Sequence, residues 1–262
     1  MRCARFSPDG GRIVVGAASR RSLSRSVYVW DFARSVAQRL TSEDDPRRPT
    51  WNATGDTIVY RVGRQTFVAR AADGSGAPRT ILTIKGWVAT EGLAVSGPWI
   101  AFGGEHIAAA TSTDIAIAHR DSGGVVRPYA NTEFYENEPA ISPNGQWLAY
   151  TSGETGRPEV YVSSFPVPGA RYLVSTAGGR APAWSADGRT IFFATVSRAY
   201  AAVAFTPGAP PTFGQQRRIY ERDLSRDWTV SPDGKRLLFV DTARLPPLLG
   251  LELVLDALNV PR

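Results

Sequence analysis

The side chains best suited to covalent or metal chemistry are few. Cys3 is the one cysteine, and His106 and His119 are the only histidines, too few for a Cys/His zinc site and thin support for a catalytic triad. A single thiol permits no intrachain disulfide and fits any redox compartment. No Gly-x-Ser-x-Gly elbow, Gly-Lys-Ser/Thr phosphate loop or His-Glu-x-x-His pair occurs, so nucleophilic, phosphoryl and zinc-hydrolytic chemistry have no anchor. His119-Arg120-Asp121 matches a catalytic-loop tripeptide of phosphoryl transfer, but Val126 stands where the metal-binding Asn belongs and no Asp-Phe-Gly accompanies it. It reads as a strand end running into a turn. What abounds is arginine: 28 residues beside Lys85 and Lys235, with a net charge of +6. Guanidinium groups fork onto carboxylates and phosphates. Coding bias alone explains the near-absence of lysine, however, and the charges are mixed: Glu43, Asp44 and Asp45 sit beside Arg47 and Arg48, and Glu221 and Asp223 flank Arg222. Nucleic-acid binders cluster their charge instead, so no nucleic-acid partner is expected.

The elements that position these groups follow from length and repetition. At 262 residues, 43% apolar, the chain can bury a sizeable core without staples. No signal-like or 18-residue apolar run is present, so membrane insertion is not expected. Ser7-Pro8-Asp9-Gly10 returns as Ser231-Pro232-Asp233-Gly234, with variants Ser142-Pro143-Asn144-Gly145 and Ser185-Ala186-Asp187-Gly188; Asn52-Ala53-Thr54-Gly55 and Ala94-Val95-Ser96-Gly97 complete the register. Motif starts at 7, 52, 94, 142, 185 and 231 are 45, 42, 48, 43 and 46 residues apart. A large apolar residue precedes each (Phe6, Trp51, Leu93, Ile141, Trp184, Val230), and an aliphatic follows six residues after each start (Ile13, Ile58, Ile100, Leu148, Ile191, Leu237).

Pro presets φ at the first central turn position, Asp or Asn suits the second, and Gly takes the left-handed conformation that closes a hairpin. Third strands are expected at 27–31, 66–70, 114–118, 159–163, 199–203 and 251–255, with outer strands at 39–41, 79–84, 125–129, 171–175 and 217–220. Four short strands every 45 residues or so predict a β-propeller: an all-β, six-bladed β-propeller with four-stranded antiparallel blades, the last one incomplete, filling residues 1–262 as a single domain.

The repeats resemble the Pro-Asp-type WD-like repeats of TolB-like β-propellers. The later half, with Glu138-Pro139, Ser142-Pro143-Asn144-Gly145-Gln146-Trp147-Leu148-Ala149-Tyr150, Pro158-Glu159-Val160-Tyr161-Val162 and Gly178-Gly179-Arg180-Ala181-Pro182-Ala183-Trp184-Ser185, looks like the C-terminal propeller attached to some bacterial serine/threonine protein kinases. That resemblance implies a sensor or interaction module, an attached or associated kinase, and an extracytoplasmic location. The degenerate motifs of the first half depart from it. Ser185-Ala186-Asp187-Gly188-Arg189 places its Gly one residue early for a sialidase-like Asp-box.

A propeller's natural site is the mouth of its central channel. Five residues before each motif start stand Arg2, Arg47, Ala89, Asn137, Arg180 and Arg226, followed by Arg48, Glu138 and Asp227 at the next position. If symmetry gathers these residues, the arginines form an anion-attracting rim. With Trp87, expected on a neighbouring loop, that rim would bind a protein or a small acidic ligand. Trp51 and Trp184 read as core, and Trp30 and Trp147 as packing between blades. The expected function is non-catalytic binding or sensing, with no enzyme activity, cofactor or metal. The competing reading is a hydrolase or lyase using Glu138 and Asp227, which would need to lie within about 5 to 10 Å of each other.

Overall fold

The computed structural model describes residues 3–18, 25–41, 45–108, 112–221, 228–239 and 256–257. Among them no residue is helical. The first four-stranded antiparallel sheet comprises Cys3–Phe6, Arg12–Ala18, Arg25–Asp31 and Val36–Arg39; the second comprises Arg47–Trp51, Thr57–Val62, Thr66–Ala71 and Arg79–Thr83. The third holds Trp87–Ser96, Trp99–His106, Asp114–His119 and Val126–Ala130, and the fourth Glu136–Ile141, Trp147–Ser152, Glu159–Ser164 and Tyr172–Leu173. In the fifth, Gly179–Trp184, Thr190–Thr195 and Ala199–Thr206 carry two outer segments, Thr212–Phe213 and Arg217–Glu221. Part of a sixth is formed by Trp228–Val230, Arg236–Phe239 and Asp256–Ala257. The expected final third strand at 251–255 lies outside the described residues.

Four of the hairpin turns are built by the same side-chain bonds. Ser7 Oγ donates to Asp9 Oδ1 at 2.5 Å, Gly11 N donates to the same oxygen at 2.9 Å, and Arg12 N donates to Ser7 Oγ at 2.9 Å. The same hydroxyl-to-acceptor bond recurs from Ser142 to Asn144 at 2.7 Å, Ser185 to Asp187 at 2.6 Å and Ser231 to Asp233 at 2.5 Å. An Asx-type turn thereby fixes the strand pair through local bonds alone.

Apolar side chains alternate between the two faces of each strand, so each blade packs against both neighbours. Six apolar clusters result, one between each consecutive pair of blades. In the first blade, Val14 joins the cluster shared with the second, while Ile13 and Val15 join Leu238 of the sixth.

The sixth blade therefore meets the first, and its contacts repeat those made elsewhere. Arg12 Nη2 donates to Gly55 O of the following blade at 2.8 Å and lies 4.9 Å over the Trp51 ring. Arg236, at the equivalent position, donates to Gly10 O at 3.3 Å and lies 5.4 Å over Phe6. The turn prolines agree: a Cβ on Gly55 would sit 3.1 Å from Pro8 Cδ, and one on Gly10 3.3 Å from Pro232 Cδ.

The third blade departs from the expected register. Ser96 pairs with Trp99 and Val95 with Ile100, so its turn is the two-residue connection Gly97-Pro98, and Val95 faces Ile100 where a motif start at 94 puts Leu93, a shift of two. Positive φ at Gly97 (54°) followed by the negative φ that Pro imposes is the pattern of a II′ hairpin. Without the Ser-Pro-Asp-Gly scaffold, the shorter turn moves the inner strand along by two.

Candidate channel mouth

The inner strands of all six blades line one central channel of about 480 Å³. At one end lie the motif turns. At the other, the inner strands of blades two to five share a β-bulge, at Arg47/Thr50, Gly103/Ala101 opposite Glu91 and Ala94, Asn137/Ala140 and Arg180/Ala183. A left-handed residue opens each bulge: Arg48 (φ 53°), Gly92 (64°), Glu138 (57°) and Ala181 (51°). Three of the four are followed by proline, at Pro49, Pro139 and Pro182. Bulges re-aim side chains near sites, and here they turn Arg48 and Glu138 into the channel wall.

These residues connect one blade to the next. Glu138 Oε2 accepts from Ala181 N at 2.7 Å and from Thr151 Oγ1 at 2.9 Å. Arg48 approaches Glu91 Oε2 at 3.4 Å, and Asn137 Nδ2 donates to that oxygen at 3.5 Å. Trp51 Nε1 donates to Arg5 O at 3.0 Å and Trp184 Nε1 to Ala140 O at 2.9 Å, equivalent bonds from each blade to the one before. Arg5 adds a second cation to the wall; its Nη1 donates to Ala4 O at 2.7 Å.

The described members of the expected rim take different places. Arg48 and Glu138 line the channel. Arg47 is drawn aside by Asp45, whose carboxylate it meets at 2.7 Å, and neither it nor Arg180 lines the channel wall. Trp87 is not a loop residue: it begins a strand, is 5% exposed, and packs edge-on to His106 in the core between blades two and three. Ala89, expected at the mouth, is buried in that same core because of the register shift, and Glu91 takes its place opposite Gly103. Arg2, Arg226 and Asp227 lie outside the described residues. His119 ends its strand and Arg120 begins a turn, as expected of that tripeptide.

Sequence reasoning passed over Arg5, Glu91 and Tyr135. Tyr135 is 40% exposed and its ring covers Gly153; partial burial, then the nearby Glu138 carboxylate, push its hydroxyl pKa up, while Arg180 opposes them. Only Arg5 carried a sequence signal, as an arginine two residues before a motif start. Among the described residues, no group of three or more His, Cys, Asp or Glu is placed to hold a metal ion, and no helix is long and apolar enough to cross a membrane.

Comparison with solved structures gives a TM-score of 0.67 with TolB from Acinetobacter baumannii, at 16% identity over 88% of this chain and 58% of that one. The fold is a TolB-like β-propeller. Oligogalacturonate lyase from Vibrio parahaemolyticus shares it with a TM-score of 0.58 and 11% identity, over 90% of this chain and 84% of the lyase. Among curated proteins, tricorn protease homolog 1 of Streptomyces coelicolor is 35% identical over 100 residues, or 37% of this chain and 9% of that protein. The TolB-like propeller thus spans a small part of that relative and somewhat over half of the A. baumannii protein. No family model matches the chain.

Proposed function

We propose that this TolB-like propeller is a non-catalytic binding or sensing module whose channel mouth receives a protein segment or small ligand bearing carboxylates. The observation that carries this reading is the use made of the polar groups at the mouth. Glu138 is committed to Ala181 N and Thr151 Oγ1, and beside it Arg5 and Arg48, which also meet Ala4 O and Glu91, line a channel of about 480 Å³, within the usual size range of ligand pockets. Cations on a low-dielectric wall favour an anionic guest. The short match within the much longer tricorn protease homolog 1 suits a propeller that serves as one module of a larger protein. A bacterial serine/threonine kinase as the attached or associated partner, and an extracytoplasmic location, rest on the sequence resemblance.

A second reading, a hydrolase or lyase, is favoured by the shared fold of oligogalacturonate lyase. It needs a second carboxylate beside Glu138, for which Asp227 is the candidate. A thermal-shift screen against acidic peptides, acidic oligosaccharides, phosphorylated metabolites and divalent ions separates the two, with each hit then incubated and examined for products. The binding reading expects stabilisation by a carboxylate ligand that is recovered intact. A cleaved hit transfers support to the enzyme reading, and no hit of any class removes the ligand-binding form of the proposal.

A further inference from the structure

At the turn end of the ring, between blades four and five, lies a groove of about 820 Å³. Its lining includes Pro143, Trp147, Asp187, Arg189, Phe205 and Pro207. One repeated position sets its character. Five residues after a motif start, blades one and six carry Arg12 and Arg236, and each guanidinium lies over a ring of the next blade and bonds to the glycine carbonyl of that blade's turn, Gly55 O and Gly10 O. Blade four carries Trp147 there. Its ring packs edge-on to Phe205 at 5.3 Å, where Arg236 lies 5.8 Å over Phe32 at the equivalent strand end.

The indole does not copy the guanidinium's bond. Trp147 Nε1 meets no acceptor among the described residues, and the buried polar atoms left without a partner do not include it. This N–H is therefore open to solvent, on a half-buried ring that lines the groove. Gly188, the counterpart of Gly55 and Gly10, lines the groove too, and its carbonyl accepts from no described group. At the rim, Asp187 Oδ1 serves its own turn, accepting from Ser185 Oγ at 2.6 Å and Arg189 N at 3.0 Å, which leaves Oδ2 for a guest. Asp187 and Arg189 carry opposite charges and are the only charged residues of the lining, so the groove does not select an ion.

The guest that suits such a groove has apolar faces and a rim of groups that both donate and accept. Sugar hydroxyls do both, and the C–H faces of a pyranose lie against aromatic and proline rings. We propose that this groove binds a neutral oligosaccharide: Trp147 Nε1 donates to one hydroxyl, Gly188 O accepts from another, and Asp187 and Arg189 hold hydroxyls at the rim. The volume lies within the range of ligand pockets and exceeds that of one hexose. The groove shares no charged residue with the channel wall, so it stands or falls separately from the channel reading.

The test follows the tryptophan N–H signals of the full chain by proton–nitrogen correlation NMR during titration with cellotetraose, maltotetraose and a polyproline peptide. Trp147→Phe keeps a ring against Phe205 and removes one indole signal, which assigns it. At least one of the two sugars is expected to shift the Trp147 signal saturably. By calorimetry, Trp147→Phe is expected to bind that sugar about fivefold or more weakly, the scale of one lost hydrogen bond. If Trp147→Phe does not fold, Arg189→Ala serves in its place with the same loss expected, since that side chain is exposed and its backbone bond to Phe205 N is kept. A wild-type spectrum whose indole signals neither sugar moves, or equal sugar affinity in wild type and the folded variant, overturns the proposal. A peptide that shifts the Trp147 signal where both sugars fail makes the groove a peptide site and overturns it as well.

Discussion

Glu138 carries unusual weight for one residue. A non-glycine side chain in the left-handed region costs about 1 to 2 kcal/mol, and here that cost is offset by a charged acceptor shared between Thr151 and the Ala181 amide of the next blade. Glu138→Ala keeps the backbone cost and leaves the Ala181 N–H with only Thr151 Oγ1, at 3.2 Å. A loss of about 1.5 to 3 kcal/mol of unfolding free energy is expected. Glu138→Gln, which keeps an oxygen acceptor, is expected to lose less than half of that, measured by denaturant unfolding. Equal losses in the two variants would show that the carboxylate charge, rather than the acceptor, holds the blades. The sequence singled out Glu138 and Arg48 because each stands four residues before a motif start, next to the repeated position where the chain enters the inner strand. It could not single out Glu91, since nothing in a strand pattern tells that the shift in blade three sets it opposite Gly103.

Among the elements, the hairpin was the most legible, because its turn chemistry is local. Ser, Pro, Asp or Asn, and Gly occupy consecutive positions and bond to one another, and the third strands of blades one to five fall where spacing put them. The third blade was misread because Gly97 satisfied the motif's glycine while Pro98 closed a shorter turn, and this sent Ala89 and Trp87 into the core in place of the mouth. The turns also predict a pH dependence. The Ser7 hydroxyl and the Gly11 amide hold the Asp9 carboxyl below the usual carboxylate range, as Ser185 and the Arg189 amide do for Asp187. A carboxyl with a depressed folded-state pKa contributes stability that is present above its unfolded value and is lost as pH falls through the folded one. The melting temperature is therefore expected to fall from about pH 4 downward. Asp9→Asn/Asp187→Asn, which copies the Asn144 turn, should flatten that fall. A double variant that follows the wild-type profile would place the acid sensitivity elsewhere.

At the scale of the whole molecule, six inter-blade cores and a repeated arginine contact make a ring whose sixth member, though partial, engages the first as the first engages the second. Removing one closing contact should loosen the ring at that seam. Arg236→Ala is expected to cost about 1 to 2 kcal/mol, combining a lost hydrogen bond with a lost cation–aromatic contact, and to speed hydrogen exchange in Cys3–Phe6 and Trp228–Val230 ahead of blades three and four. Uniform acceleration around the ring would contradict a seam between blades six and one. Ring formation was readable from the repeats; which side chains converge on the channel was not, because a bulge and a two-residue shift redirect them.

The central claim is that this ring binds an anionic group at its channel mouth, and Arg48 tests it most directly. Its left-handed backbone accepts glycine without strain, so Arg48→Gly removes the guanidinium and preserves the bulge. Titration of both proteins with a carboxylate-rich peptide, followed by calorimetry, should show binding by the wild type and at least about tenfold weaker binding by the variant. Equal affinity in the two folded proteins, or no binding by the wild type, would contradict an anion-binding channel mouth.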